Sequence, residues 1–451
     1  MIDIIIKVAQ LLLSLSILVV LHELGHYIPA KLFKTKVEKF YLFFDWPFSL
    51  FKKKIGDTEY GIGALPLGGY VKIAGMIDES MDTDQMKEEP KPWEFRSKPS
   101  WQRLIIMLGG VTVNFILAAV IYSLLTFFYG TFKVDVKSVV GGYKITNPVM
   151  KEVGFKTGDE ILSINGVSDF IYVTDLSERM LVAKEATIKR DGEIISLDFP
   201  ENFLGKLVEV EKEKRGFFNI RDPFIFSKAL KESINYEVDI MDGDLLLSIN
   251  DQPAKFVDQV EPLLKSNKDQ IVKIKIKRSN ATLERNLKVN SDGKIEFTRK
   301  GTMKDFEDAG FFKTIVKDDY NLLESLSVGC AMFSKQVLSY WTQLELVFNP
   351  KTEAYKGVGG FIAIGNIFPS DWSWVQFWSI TAFLSIMLGV LNLLPIPALD
   401  GGHVIFLLYE MVSGKKPSDK FMEYAQTAGF LFLISLVLFA NGNDIFKALF
   451  N

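Results

Sequence analysis

The sequence predicts a polytopic α-helical membrane protein: four transmembrane helices, with two tandem α/β domains inserted outside the lipid between the second and third. Three observations predict it. Apolar residues are 48% of the 451 but concentrate at the two ends, where four segments reach or approach the roughly 20 residues needed to cross a bilayer. The middle has ordinary composition and an internal repeat, GDEILSINGV (Gly158 to Val167) against GDLLLSINDQ (Gly243 to Gln252). The first apolar segment ends in HELGH, which puts two of the chain's three histidines and a glutamate at membrane depth.

Residues 1–30 form the first span. Fourteen residues separate Lys7 from His22. That is too few to cross about 30 Å at about 1.5 Å per residue, so HELGH lies inside the span or at its far end. Asp3 beside Lys7, and no small-residue cleavage site, argue against a removed signal peptide. Residues 31–103 carry thirteen Lys and Arg, and Lys415, Lys416 and Lys420 lie between the last two spans. The positive-inside rule makes both loops cytoplasmic, with the middle region and both termini outside. Residues 87–95 read as a mobile linker.

The second span is 104–130. Residues 131–221 and 222–298 are the tandem domains, whose strands show as alternating apolar residues in ATIKRDGEIISLDF and IVKIKIKRSNATLERNLKV. In 299–373, the stripe Leu322, Leu326, Phe333, Val337, Trp341 and Leu344, with Lys335 and Glu345, reads as an interfacial helix. Gly357 to Phe368 reads as a re-entrant segment. The third span is 374–402, a cytoplasmic loop is 403–426, and the fourth span is 427–446. A net charge of −3 argues against nucleic acid as a partner. The single cysteine, Cys330, excludes an intrachain disulfide and a Cys-based zinc site.

HELGH fits H-E-x-x-H. His22 and His26, four apart, share a helix face and can reach one Zn²⁺. Glu23 beside them can take a proton from a metal-activated water and return it to a leaving amine. Each charge at the bilayer centre costs at least about 2.5 kcal/mol unless it is neutralised, paired or metal-bound. A catalytic zinc takes three protein ligands. His403 is the remaining histidine, but LNLLPIPALDGGHV (Leu391 to Val404) offers Asp400. Pro395 and Pro397 must break the helix there, and such backbone is tolerated at membrane depth only where it lines protein or water. Asp400 also suits a plain turn in which it caps the next helix. Spans one and three run in the same direction, which brings HELGH and Asp400 to the same depth. Asn392 can hydrogen-bond a substrate carbonyl or a developing oxyanion, or tie two helices together.

H-E-x-x-H in the first span with N-x-x-P-x-P-x-L-D-G in the third resembles the site-2 protease family of intramembrane zinc metalloproteases. The long insertion between spans two and three is similar to the bacterial RseP type. The resemblance covers essentially the whole chain. It implies zinc ligands at His22, His26 and Asp400, with Glu23 as the general acid and base. It also implies Asn392, Pro395 and Pro397 near bound substrate. LGGYVKIAG (Leu67 to Gly75) is similar to the family's membrane-associated β-element, where Gly69, Tyr70, Val71 and Lys72 match a stretch that pairs with extended substrate. An unpaired strand edge at membrane depth would offer an unwound substrate backbone partners. Val111 departs from the pattern, standing where the family's second span usually has proline; Gly110 and Asn114 remain. The repeat G-D-x-I/L-L-x-I-N resembles PDZ domains, two in tandem.

The resemblance implies a multi-pass protein of a bacterial cytoplasmic membrane, with PDZ-like domains outside. It would cleave single-pass membrane proteins, anti-sigma factors and leftover signal peptides among them. Rival readings are a catalytically inactive PDZ scaffold, which would lack a ligand or Glu23, and a metal transporter, which would carry ligands along several spans.

Overall fold

In the computed structural model, residues 2–76, 89–169, 172–210, 214, 216–317 and 319–450 are described. The chain divides into two units. One comprises Met1–Gly130, Asp318–Phe348 and Tyr355–Asn451; the other comprises Thr131–Lys317 and Asn349–Ala354.

The first unit opens with α1 (Ile2–Leu32), β1 (Val37–Ile55), β2 (Thr58–Ile73) and α2 (Ser100–Tyr129). The second unit then contributes β3 (Thr131–Val134), β4 (Tyr143–Lys144), α3 (Pro148–Val153), β5 (Glu160–Ile164), α4 (Val173–Met180), β6 (Glu185–Arg190), β7 (Glu193–Asp198), α5 (Phe203–Glu209) and β8 (Asn219–Ile220). It continues through β9 (Phe226–Ala229), β10 (Leu245–Ile249), β11 (Gln252–Pro253), α6 (Val257–Ser266), β12 (Ile271–Arg278), β13 (Ala281–Lys288), β14 (Phe297–Arg299), α7 (Met303–Asp308) and β15 (Thr314–Lys317). The first unit resumes with α8 (Leu322–Phe348), α9 (Phe361–Gly365), α10 (Trp374–Leu393), α11 (Asp400–Ser413) and α12 (Asp419–Phe450).

Among the described residues, four helices are long and apolar enough to cross a membrane: α1, α2, α10 and Lys420–Phe446 within α12. Lipid gives helices no hydrophobic reason to associate, so small residues and buried polar pairs hold them. Gly25 of α1 lies against the Gly109 backbone of α2, with no room for a side chain on either. Ser14 and Thr381 share a hydrogen bond of 3.0 Å between α1 and α10. The Ser385 hydroxyl donates to the Asn114 carbonyl at 2.8 Å, joining α10 to α2. Val111 is buried in an unbroken α2, so the absent proline leaves no gap.

The β-element is folded more tightly than a simple hairpin. Residues 39–42 have partners on both flanks, 59–62 on one and 69–72 on the other. The far flank of 69–72 has no strand partner among the described residues. Trp46, Phe48, Leu50 and Phe51 are exposed at one end, ahead of Lys52 to Lys54, the amphipathic composition of a membrane-contacting edge.

In the second unit each copy of the repeat builds one small core. Sheets β5–β6–β7 and β11–β10–β12–β13 carry the two copies. The motif has a physical reading. Gly158 and Gly243 take φ of 102° and 90°, which a side chain resists. Asp159 and Asp244, both buried, accept the backbone N–H of Lys156 and Met241 at 2.8 Å and pair with Arg190 and Arg278 at 2.7 Å. Asn165 and Asn250 accept the N–H of Lys184 and Lys273, each closing a turn.

Several boundaries differ from expectation. Residues 299–317 belong to the second unit, because β15 pairs with β3. Residues 403–413, expected in a loop, continue α11, whose Val404 and Leu407 pack in a core with Met107 of α2. Helix α8 does not present its full apolar stripe to neighbours: Leu322, Leu326 and Trp341 are exposed. Phe333, Val337 and Leu344 of the stripe pack with Tyr340 against residues of α2 and α10, Gly329 lies against Ser123 of α2, and Tyr340 meets Phe383 of α10 at 6.1 Å. Residues 361–365 form α9, tied to α12 by Asp444, which accepts the Ala363 N–H at 2.9 Å. Lys87 and Glu88 lie outside the described residues, but 93–95 are held down. Trp93 accepts the Lys36 N–H, and Phe95 is buried and donates to the Ala74 carbonyl.

Candidate metal centre

Helix α1 carries His22 and His26 on one face, both buried. The two prolines act as their chemistry requires: α10 ends at Leu393, and residues 394–399 are non-helical. That loop delivers Asp400, the first residue of α11, to the imidazoles. Asp400 Oδ2 lies 3.4 Å from His22 Nε2 and 3.3 Å from His26 Nε2, and the two nitrogens are 3.2 Å apart. This oxygen is buried and has no hydrogen-bond partner among the described residues.

Three electron-rich atoms so close repel unless a cation sits among them. The edges of a tetrahedron around zinc, with bonds of about 2.0–2.1 Å, are about 3.3–3.4 Å. The observed triangle matches that size, so the residues fit zinc. His22, His26 and Asp400 form the group of potential ligands found among the described residues.

Helix α2 supplies the floor. The Ile106 carbonyl is 2.8 Å from His26 Nδ1, and the Asn114 amide is 3.0 Å from His22 Nδ1. Between them, Gly110 lies directly under both rings: a Cβ there would come within 2.6 Å of His22 Cε1.

A cavity of about 220 Å³ opens over this centre. Glu23, His22, His26, Asn392, Asp400, Gly69, Tyr70 and Val71 all line it. Glu23 accepts a hydrogen bond from the Val71 backbone N–H, so the unpaired flank of 69–72 faces the centre. A side chain at Gly69 would strike Val19, which explains glycine there. The Asn392 amide is 3.5 Å from His22 Nε2. Lys72, Pro395 and Pro397 are not in the lining. Lys72 instead faces Glu38 at 4.0 Å, and the prolines shape the loop. His403 does line the cavity, but its Nε2 meets Gln426 at 2.8 Å. Phe44 and Asn114 were not anticipated as site residues. Asn114 had a signal, being the lone amide in the apolar run of α2.

On the β-element, burial pushes the Asp45 carboxyl up, but hydrogen bonds from Lys39 and Tyr70 outweigh it and hold it below its ordinary value. Tyr70 stacks between Tyr41 and Phe44, with ring centroids 5.4 and 6.1 Å away. This stack stiffens the strand whose edge borders the centre.

A helix-borne pair of imidazoles completed by a carboxylate, set in a bundle of apolar helices, is the equipment of a membrane metalloprotease. The model of a family described as Peptidase family M50 matches residues 10–436, and the chain belongs to that zinc-dependent family. It is similar to a protein of Clostridium acetobutylicum that bears a zinc metalloprotease name, 30% identical over 96% of each chain. It is also similar to one so named in Thermotoga maritima, 27% identical over 97% of this chain and 98% of the relative. A third relative is the regulator of sigma E protease of Haemophilus influenzae, 26% identical over 98% and 99% of the two chains.

Proposed function

We propose that this metalloprotease is an intramembrane endopeptidase that hydrolyses single-pass transmembrane proteins within or near the bilayer. One observation carries the reading: two imidazole nitrogens and a carboxylate oxygen, brought from two helices, lie 3.2 to 3.4 Å apart in a cavity shared with Glu23. His22, His26 and Asp400 hold the zinc. When bound, zinc supplies a Lewis acid that polarises the scissile carbonyl and acidifies a water molecule. Glu23 takes the proton from the attacking water and passes it to the leaving amine. Its hydrogen bond from Val71 orients it. Asn392 donates to the carbonyl oxygen as negative charge develops.

A peptide bond inside a helix is hidden by its own hydrogen bonds, so the substrate must first be extended. Gly69, Tyr70, Val71 and Lys72 offer it a strand edge, and the loop shaped by Pro395 and Pro397 closes the opposite side. The two repeat-bearing regions are read as PDZ-like domains outside a bacterial cytoplasmic membrane, with both termini on that same side. They act as a filter against substrates that keep bulky outer domains. Anti-sigma-factor-type proteins and remnant signal peptides fit this class. An inactive scaffold is disfavoured, because three ligands and the glutamate are all present.

The test is Glu23→Gln in the full chain, assayed on a tagged single-pass substrate in vesicles. Cleavage is expected to stop while zinc content stays at the parent level. Continued cleavage refutes Glu23 as the proton carrier.

A further inference from the structure

We propose that Asn114 is a positioning residue that sets the His22 ring for metal binding, by accepting the Nδ1 proton through its side-chain oxygen. The inference rests on the zinc reading of the centre. Asn114 is 0% exposed, in the middle of an apolar helix. As placed, its side-chain nitrogen lies 3.0 Å from His22 Nδ1, and its side-chain oxygen has no partner among the described residues. A buried amide is costly unless it is hydrogen-bonded. Its one side-chain engagement is the far side of a candidate ligand.

The tautomer decides which end of the amide must face the ring. His22 Nε2 points at Asp400 and His26, so it binds metal through its lone pair and the proton resides on Nδ1. An NH₂ facing that proton would set donor against donor. A half-turn of the amide presents the carbonyl oxygen instead, at the same place. His26 shows the same arrangement with an unambiguous partner. The Ile106 carbonyl, which can only accept, stands 2.8 Å from its Nδ1.

Ile106, Gly110 and Asn114 are spaced four apart on α2 and so lie on one face. The outer two hold one ring each by its Nδ1 proton, and the glycine between them leaves space for both rings. Helix α2 supplies no ligand, yet it defines the orientation of two. Ser385, on the helix that leads to Asp400, fixes this template by donating to the Asn114 main-chain carbonyl at 2.8 Å.

Partners of this kind are typically worth about 10–100-fold in metal affinity. The experiment uses the full chain in detergent micelles, with zinc alone as the probe and ¹⁵N-labelled histidine. With only three histidines in the chain, each imidazole can be assigned. In the zinc-loaded parent, His22 is expected to carry its proton on Nδ1, in a hydrogen bond. By chelator competition, Asn114→Leu is expected to weaken zinc binding about 10–100-fold. Asn114→Asp, which keeps an acceptor, is expected to hold near-parent affinity. Zinc bound through His22 Nδ1 overturns the inference. So does parent-like affinity in Asn114→Leu, or an equal loss in Asn114→Asp. Should Asn114→Leu fail to fold, the parent spectrum and the Asn114→Asp affinity decide. A parent that holds no zinc at these histidines overturns the reading of the centre itself, which is a distinct result.

Discussion

Asp400 Oδ2 is a buried acceptor whose nearest polar neighbours are the two imidazole nitrogens of α1. Such an atom is stable only when a cation or proton stands beside it. Asp400→Asn keeps the shape and removes the charge. Metal analysis of the purified variant is expected to show zinc occupancy lower by at least about tenfold, the scale of losing one charged ligand. Gly110 tests space rather than charge. Gly110→Ala pushes a methyl group into both rings, so it is expected to lower zinc content and cleavage together while helix content by circular dichroism stays at the parent level. His22, His26 and Glu23 were marked in the sequence, because ionisable groups in apolar segments need a reason; Asp400 was singled out by the family resemblance, its motif alone also suiting a plain turn. Asn114 was visible as a lone amide and as a match to the family's second-span pattern. Its partner on another helix was not.

At the scale of elements, the edge of β2 and the repeat make separate predictions. Val71 directs its N–H to Glu23, away from β1, so proline there removes no bond of the β1–β2 ladder. Val71→Pro is expected to keep zinc at the parent level while cleavage of an extended substrate falls, measured as kcat/KM. In the second unit, Asp244→Ala removes the buried partner of Arg278, which keeps its pairing with Asp239, and leaves the Met241 N–H unsatisfied. A loss of roughly 1–3 kcal/mol is expected by denaturant unfolding, the scale of leaving a buried donor unsatisfied. Hydrogen bonds from Arg285 and Arg278 hold the Asp239 carboxyl below its ordinary value. A depressed folded pKa adds stability above the unfolded value, and that stability is lost as pH falls through the folded one. The thermal midpoint of this unit is therefore expected to drop below about pH 4, and Arg285→Ala to shrink that drop. The GD and IN signatures of the repeat could be read in advance because each residue satisfies its own local turn. Only half of the α8 stripe could be, because Phe333, Val337 and Leu344 pack inward while Leu322, Leu326 and Trp341 stay exposed.

For the whole molecule, the division into two units predicts two unfolding transitions by calorimetry. His22, His26 and Asp400, the proposed zinc ligands, all lie in the first unit. At a hundredfold excess over its Kd a bound ligand contributes about 2.7 kcal/mol. A chelator is therefore expected to lower one transition and leave the other unmoved, whereas Asp244→Ala does the reverse. A chelator effect on both would contradict the separation.

What the sequence determined by itself is the set of parts. Four apolar segments, a duplicated turn signature and an H-E-x-x-H at membrane depth follow from composition and spacing, because the bilayer permits so few backbones. The proline pair announced where α10 must end, for it deprives the helix of N–H donors. What only the tertiary structure decided is which of these parts meet. Asp400 reaches the histidines across more than 370 residues of chain, and residues 39–42 are flanked on both sides so that 69–72 become an edge. The floor of the site belongs to α2, which carries no ligand motif. Distance along the chain carries no information about such meetings. They are settled by how closely glycine lets helices approach, and by which buried polar atom each approach satisfies.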